Sequence, residues 1–346
     1  MSLKYVPYSL ELKEPFGTAH GTRTHTDGMV VAIESDGLTG YGEVFMPPYY
    51  SENQESMALY FDSVDVSKLL RTESLADRLA YVRSLGPRDY GAKAALDIAL
   101  HDLDGKRIEE PVATRYSTDE RRTSYSTSFT IGVDTVSTMV RKAREAKGFK
   151  SLKIKLDGKQ DIRVIEAIKE VTDQELLVDA NQGWSDLDEA LETAHRLIDL
   201  GVGLIEQPFK QGEHEKVGAL AARCAVPVVA DEDIQTIEDI DRLAAFYDGI
   251  NVKLMKAGGI KPAVKMISRA REKGLKVLIG CMTESSIGIS AAAQVAHLAD
   301  WLDLDGNLLI KNDTCTAVQT VDGYLVLSEA PGIGITDDSN LIRIFN

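Results

Sequence analysis

Residues 176–209 read LLVDANQGWSDLDEALETAHRLIDLGVGLIEQPF. A short apolar run ends in Asp179 and a loop follows. Leu187, Ala190, Leu191, Ala194, Leu197 and Ile198 then recur at helical spacing until Gly201 closes the helix. A second apolar run begins at once and ends in Glu206. Strand, helix and strand in this order predict a βα repeat and a parallel sheet.

The same grammar extends in both directions. From Thr123 onward, short β-rich runs end near Thr130, Lys155, Asp179, Glu206, Asp231, Lys253, Gly280 and Asp303, each followed by an amphipathic stretch. One helix is announced by Thr236 with Asp239 three residues on, a variant of the capping box. Eight strands with crossover helices in roughly 190 residues fit a closed α/β barrel better than an open doubly wound sheet.

Before the barrel the pattern differs. MVVAIESDGLTGYGE, Met29 to Glu43, alternates and turns through Asp36-Gly37, the mark of an antiparallel hairpin. GAKAALDIALHDLDGK, Gly91 to Lys106, sets Ala92, Ala95, Leu96, Ala99 and Leu103 on one helical face. The expected organisation is an α+β domain over residues 1–120, a barrel over 121–315, and a tail over 316–346 whose strand-like DGYLVLSEAPGIGI returns to the first domain.

Composition narrows the function classes. A chain of 346 residues with 44% hydrophobic content can fill a sizeable core. Its net charge of -15, from 54 acidic and 39 basic residues with no basic run, argues against nucleic acid. Apolar runs fall far short of a membrane span and MSLKYVPYSL lacks the regions of a signal peptide, so a cytoplasmic protein without a membrane partner is expected. Cys224, Cys281 and Cys315 have no paired spacing and suggest neither a disulfide framework nor a zinc site.

In an eight-stranded α/β barrel the chemistry sits at the C-terminal ends of the strands, and here most candidate strands end in a charged residue. In SLKIKLDG, Lys153 and Lys155 leave one face of a strand that should be buried. An exposed edge strand would also accommodate them. If they are buried, repulsion and desolvation are expected to lower a lysine pKa and leave a neutral amine as a base.

LLVDANQGW, LIEQPF and VVADED bring Asp179, Glu206 and Asp231 to one barrel mouth. Any one of them alone reads as a helix N-cap. Three in consecutive units call for a cation, and oxygen ligands without His or Cys favour magnesium over zinc. GINVKLMKAGG brings Lys253 to the mouth about four strands from Lys155.

This order of motifs, KxK, D-x-N, E-Q-P, D-E and N-x-K, resembles the muconate-lactonizing-type subgroup of the enolase superfamily over essentially the whole chain. The resemblance implies a capping domain over a (β/α)7β TIM-like barrel, with ALDIALHDLDGK as the cap-to-barrel helix. It further implies one Mg2+ per subunit on Asp179, Glu206 and Asp231. Lys155 and Lys253 become acid and base on opposite faces, with Lys153 beside the enolate oxygen. Removing an α-proton from a carboxylate needs such stabilisation of the enediolate.

WLDLDG places Asp303 and Asp305 on one face, able to receive an ammonium group or simply to form a solvated loop. The pair resembles the D-x-D of dipeptide epimerases, and GCMTESSIGISAAAQ resembles their loop after strand seven. By that likeness Cys281, Met282, Thr283 and Thr130 line a dipeptide whose C-terminal residue is inverted by 1,1-proton transfer, in the setting of murein-peptide recycling.

The loop GTAHGTRTHTD, Gly17 to Asp27, offers Arg23, His20 and His25. Arg23 could read a glutamate carboxylate bidentately or lie on the surface. The specificity arginine of Ala-Glu epimerases aligns instead with Gly21, which leaves an apolar second residue open. The competing readings are an N-acylamino-acid racemase, o-succinylbenzoate synthase or cycloisomerase, and a non-catalytic metal-binding scaffold barrel. A homo-oligomer is compatible with each.

Overall fold

Three antiparallel strands open the chain: β1 (Ser2–Thr18), β2 (Gly21–Ser35) and β3 (Leu38–Phe45), in that spatial order. The computed structural model describes residues 2–19, 21–48, 50–71, 74–117 and 122–346. β2 and β3 meet at the predicted turn, where Asp36 and Gly37 take φ of 52° and 80°, as a two-residue hairpin demands. β1 lies at the sheet edge, where Pro7 costs no ladder bond, and its register shifts between Glu11 and Phe16.

Helices α1 (Gln54–Asp62), α2 (Val66–Arg71), α3 (Leu75–Ser84), α4 (Tyr90–Arg107) and α5 (Val112–Tyr116) follow. α4 extends the predicted helix by one residue at each end and is buried from Gly91 to Gly105. It packs directly on β3 because two glycines face it. A Cβ on Gly42 would lie 2.0 Å from the Ala95 carbonyl oxygen, and one on Gly40 2.1 Å from that of Ala99.

After a short strand β4 (Ser124–Ser126), eight parallel strands pair in sequence order: β5 (Ser128–Ile131), β6 (Ser151–Lys155), β7 (Glu175–Asp179), β8 (Val202–Glu206), β9 (Val228–Ala230), β10 (Gly249–Lys253), β11 (Lys276–Gly280) and β12 (Trp301–Asp303). Each ends within one residue of its sequence-predicted terminus. Between them run α6 (Val136–Glu145), α7 (Asp161–Lys169), α8 (Leu187–Asp199), α9 (His214–Ala221), α10 (Ile237–Leu243), α11 (Leu254–Ala257), α12 (Ile260–Glu272) and α13 (Ser286–Ala293). The capping box of Thr236 and Asp239 starts α10.

Leu177, Leu204, Val229 and Leu278 form a separate buried cluster. Three of them lie two residues before Asp179, Glu206 and Asp231, so period-two alternation stacks an apolar layer beneath the carboxylates. Between β12 and β5 side chains take over from the backbone ladder. Leu304 N–H donates to Thr127 Oγ1 at 2.8 Å, and Thr130 N–H donates to Asp305 Oδ2 at 2.6 Å.

The tail departs from expectation in one respect. β13 (Gln319–Val321) and β14 (Tyr324–Val326) form a hairpin that pairs with β4, beside the first barrel strand, and not with the N-terminal sheet. The β4 backbone ahead of the barrel offers that hairpin an unpaired edge. Residues beyond it do reach the N-terminal elements: Ile333 N–H donates to Asp102 on α4 at 3.0 Å, and Phe345 of α14 (Ser339–Phe345) stacks on Tyr41 at 6.3 Å. No helix among the described residues is long and apolar enough to cross a membrane.

Candidate active site

Parallel register aligns the strand ends in one row. Lys155 lies opposite Asp179, Asp179 opposite Glu206, and Gly280 between Lys253 and Asp303. One oxygen from each of Asp179, Glu206 and Asp231 lies within 4.8 Å of the others, and all three residues are buried. Three carboxylates so close and so dry repel one another unless cations are at hand.

Lysines supply part of that charge. Lys155 Nζ donates to Asp179 Oδ2 at 2.6 Å, and Lys253 Nζ to Asp231 Oδ2 at 2.7 Å. Lys153 Nζ sits 2.8 Å from both Glu206 Oε2 and Asp303 Oδ2. A fourth lysine, Lys256, is buried behind Asp231 and donates to its carboxylate, to its carbonyl oxygen at 2.6 Å and to that of Asn251 at 3.1 Å.

These contacts reverse the expected lysine titration. Burial pushes the Lys155 amine down, but the acidic groups around it, Asp179 first and then Glu206, together outweigh burial and Lys155 is raised above the ordinary lysine value. Lys253 is likewise raised by Asp231 against its burial. The sequence spacing exposed the repulsion between Lys153 and Lys155 but not the carboxylates that neighbouring strands hold against them. Glu206 also moves up, pushed to about 8 by burial and by Asp179.

The carboxylates fit a hard divalent ion. All three donors are oxygen, and Glu206 Oε2 accepts no hydrogen bond despite the nearby lysine. Backbone and amide groups orient the rest: Asn181 N–H donates to Asp179 Oδ1 at 2.9 Å and Asn251 Nδ2 to Glu206 Oε1 at 2.8 Å. Gln207 Oε1 accepts from Asp231 N–H at 2.9 Å, tying two of the ligand-bearing strands together.

Above this row, Lys155, Lys253, Thr130, Cys281, Met282, Thr283, Asp303, Asp305 and Arg23 line one cleft, together with Phe16, Thr18, Pro47 and Leu309. Asp303 Oδ1 accepts from the hydroxyls of Ser128 and Thr130 at 2.8 and 2.9 Å. Asp305 is pushed up to about 7 by burial and by Asp303. Cys281 is held well above the ordinary thiol range by burial and Asp305, so it packs as a neutral thiol.

Arg23 is a cleft residue and not a surface one. Its guanidinium donates to Thr283 Oγ1 at 3.1 Å and lies 5.8 Å from the centre of the Phe16 ring. Gly21, at φ 128° beside the β1–β2 turn, has nothing within 4 Å of its Cβ position. His25 is exposed, 3.7 Å from Asp27, and His20 lies outside the described residues.

Comparison with known proteins agrees with this geometry. Residues 1–114 match the mandelate racemase / muconate lactonizing enzyme N-terminal domain, and residues 135–341 match the enolase C-terminal domain-like family. The L-Ala-D/L-Glu epimerase of Bacteroides thetaiotaomicron is 43% identical over 97% of this chain and 88% of its own. The chain belongs to the dipeptide epimerases of the enolase superfamily. The substrate-liganded L-Ala-D/L-Glu epimerase of Bacillus subtilis superposes with a TM-score of 0.91 at 28% identity, covering 98% of this chain and 99% of that one. The Enterococcus faecalis dipeptide epimerase complexed with Mg and L-Leu-L-Tyr gives 0.88 at 30%, over 96% and 98%.

For this epimerase several site residues escaped the sequence reading. Lys256 stood in the quoted LMKAGG, and its three-residue offset from Lys253 was the available signal. Glu43 and Glu284 are both fully buried, at the junction of β3 with the loop before α13. Nothing local in the sequence brings those two together.

Proposed function

We propose that the protein inverts the C-terminal residue of an L-Ala-Xaa dipeptide, L-Ala-L-Glu foremost, by magnesium-dependent 1,1-proton transfer between Lys155 and Lys253. The observation that carries this reading is the pair of amines on β6 and β10, four strands apart around the ring, each paired to a different carboxylate of one cluster. A stereocentre held between them presents one face to each. One amine takes the α-proton and the other returns a proton from the opposite side, which inverts the centre.

Asp179, Glu206 and Asp231 would hold the Mg2+. When bound, the ion supplies positive charge to the substrate carboxylate as the α-proton leaves. Lys153, buried among Glu206 and Asp303, adds charge on the same side. Asp303 and Asp305 receive the α-ammonium, and Thr130, through its hydroxyl and N–H, keeps their oxygens in place. Cys281, Met282 and Thr283 form the wall behind the dipeptide.

Two observations favour glutamate as the second residue. Arg23 enters the cleft beside Thr283, and the relative with 43% identity is an L-Ala-D/L-Glu epimerase. Phe16, Met282 and Leu309 in the same cleft favour a second reading, an apolar second residue. The test is incubation of L-Ala-L-Glu, L-Ala-L-Leu and a wider L,L-dipeptide set with enzyme and Mg2+ in deuterium oxide. Deuterium enters the Cα of the C-terminal residue with inversion, and the ratio of kcat/KM values ranks the two readings. Absence of exchange across the whole set sinks the proposal.

A further inference from the structure

Glu43 belongs to β3 of the cap, yet its fully buried carboxyl group serves the barrel. Oε1 accepts the N–H of Ser285 at 2.9 Å and that of Gly288 at 3.0 Å. Oε2 makes a short bond with the Ser285 hydroxyl, which also lies 2.6 Å from Thr314 Oγ1. One cap side chain thus satisfies two N–H groups at the start of α13, donors that a helix cannot satisfy itself. From the barrel side, Glu284 Oε1 accepts the N–H of Met282 at 2.7 Å and folds the intervening loop back on itself.

The two carboxyl groups close on Gly288. A Cβ there would lie 2.2 Å from Glu284 Oε2 and 2.7 Å from Glu43 Oε1. Burial and Glu284 push Glu43 up to about 8, so near neutrality it carries a proton and still accepts through Oε1. The loop held this way has Thr283 at its centre, the residue to which Arg23 donates from β2. The cap therefore grips this loop twice, once through Arg23 and once through Glu43.

We propose that Glu43 is a positioning residue for recognition of the dipeptide's second side chain: it locks the 281–288 segment to the cap, so that Arg23 and Thr283 meet at one fixed place in the cleft. Apolar contacts would also join cap to barrel, but a fully bonded buried polar group selects one arrangement among them. The inference rests on the reading of Arg23 as a contact to a second-residue carboxylate.

The test compares wild type, Glu43→Gln, which keeps the accepting oxygen, and Glu43→Ala, which removes it. Glu43→Ala should raise KM for L-Ala-L-Glu about tenfold or more with kcat within about threefold, and Glu43→Gln should recover most of the loss. Amide hydrogen exchange across 281–293 should quicken in Glu43→Ala only. In an Arg23→Met background the KM penalty of Glu43→Ala should vanish, because both act through one contact. An unchanged KM with native exchange, or a penalty undiminished without Arg23, overturns the proposal. Should Glu43→Ala fail to fold, the same comparisons on Gly288→Ala decide, since that Cβ displaces both carboxyls. If the wild type turns over no dipeptide, the functional reading alone falls, and exchange at 281–293 still decides whether Glu43 holds the segment.

Discussion

A lysine takes a proton only while its amine is neutral, and Lys155 and Lys253 each face a carboxylate that favours the charged form. Their symmetry makes the assignment testable one residue at a time. Lys155→Ala and Lys253→Ala should each lower epimerisation by a factor on the order of 10²–10⁴ or more, with circular dichroism unchanged. The lysine that remains still reaches one face, so residual deuterium wash-in should be confined to one epimer. Near-normal turnover in either variant would remove the two-base mechanism.

Asp305 gives a pH signature. Its carboxyl group is pushed up to about 7, and only the ionised form pairs with an ammonium group. Affinity should therefore fall as pH drops below about 7, and binding near that pH should release protons. KM measured from acid to mild alkali should rise toward acid, and Asp305→Asn should flatten the profile. A flat wild-type profile would show that Asp305 does not meet the ammonium. Asp303 moves the opposite way: burial raises it, but Lys153, Lys155 and the Ser128 hydroxyl together hold it below the usual carboxylate range. Side chains at strand ends were legible because each closes an apolar run. The direction of the lysine titration was not, because it depends on which carboxylates the ring brings alongside.

At the level of elements, the barrel strands were readable since each is a short β-rich run followed by a helical stretch, and most are cut off by a charged residue. β1 was not. Its seventeen residues mix Pro7, charges and a register shift, which an edge strand tolerates and a period-two pattern cannot encode. The β4–β14 pairing was equally hidden, for it joins residues about two hundred positions apart through three-residue strands. The contact of α4 with β3 makes a sharp prediction. A methyl group on Gly42 would lie 2.0 Å from the Ala95 carbonyl oxygen, backbone that has no rotamer by which to yield. Gly42→Ala should cost about 1–3 kcal/mol or more, read as a lower denaturant midpoint. An unchanged midpoint would mean that the two elements separate easily.

For the whole molecule, the charge arrangement separates folding from metal binding. Lys153, Lys155, Lys253 and Lys256 already neutralise much of the charge on Asp179, Glu206, Asp231 and Asp303. Chelation should therefore abolish turnover while leaving the far-ultraviolet spectrum native. Mg2+ at about a hundred times its dissociation constant should add about 2.7 kcal/mol, a rise of several degrees in Tm by calorimetry. Asp231→Asn should lose that rise; a rise that persisted would place the ion elsewhere.

The joint between β12 and β5 carries one last implication. The ring closes there through Thr127, Thr130 and the two aspartates, with side chains standing where other strand pairs have backbone ladders. The same aspartates are proposed to hold the amino end of the substrate. A ligand at that point would splice the barrel shut, and the empty enzyme should breathe most at its own recognition site. Altering the amine specificity of this scaffold and loosening its wall would then be the same mutational step, so a new specificity is easier to reach from a variant that has first gained stability elsewhere.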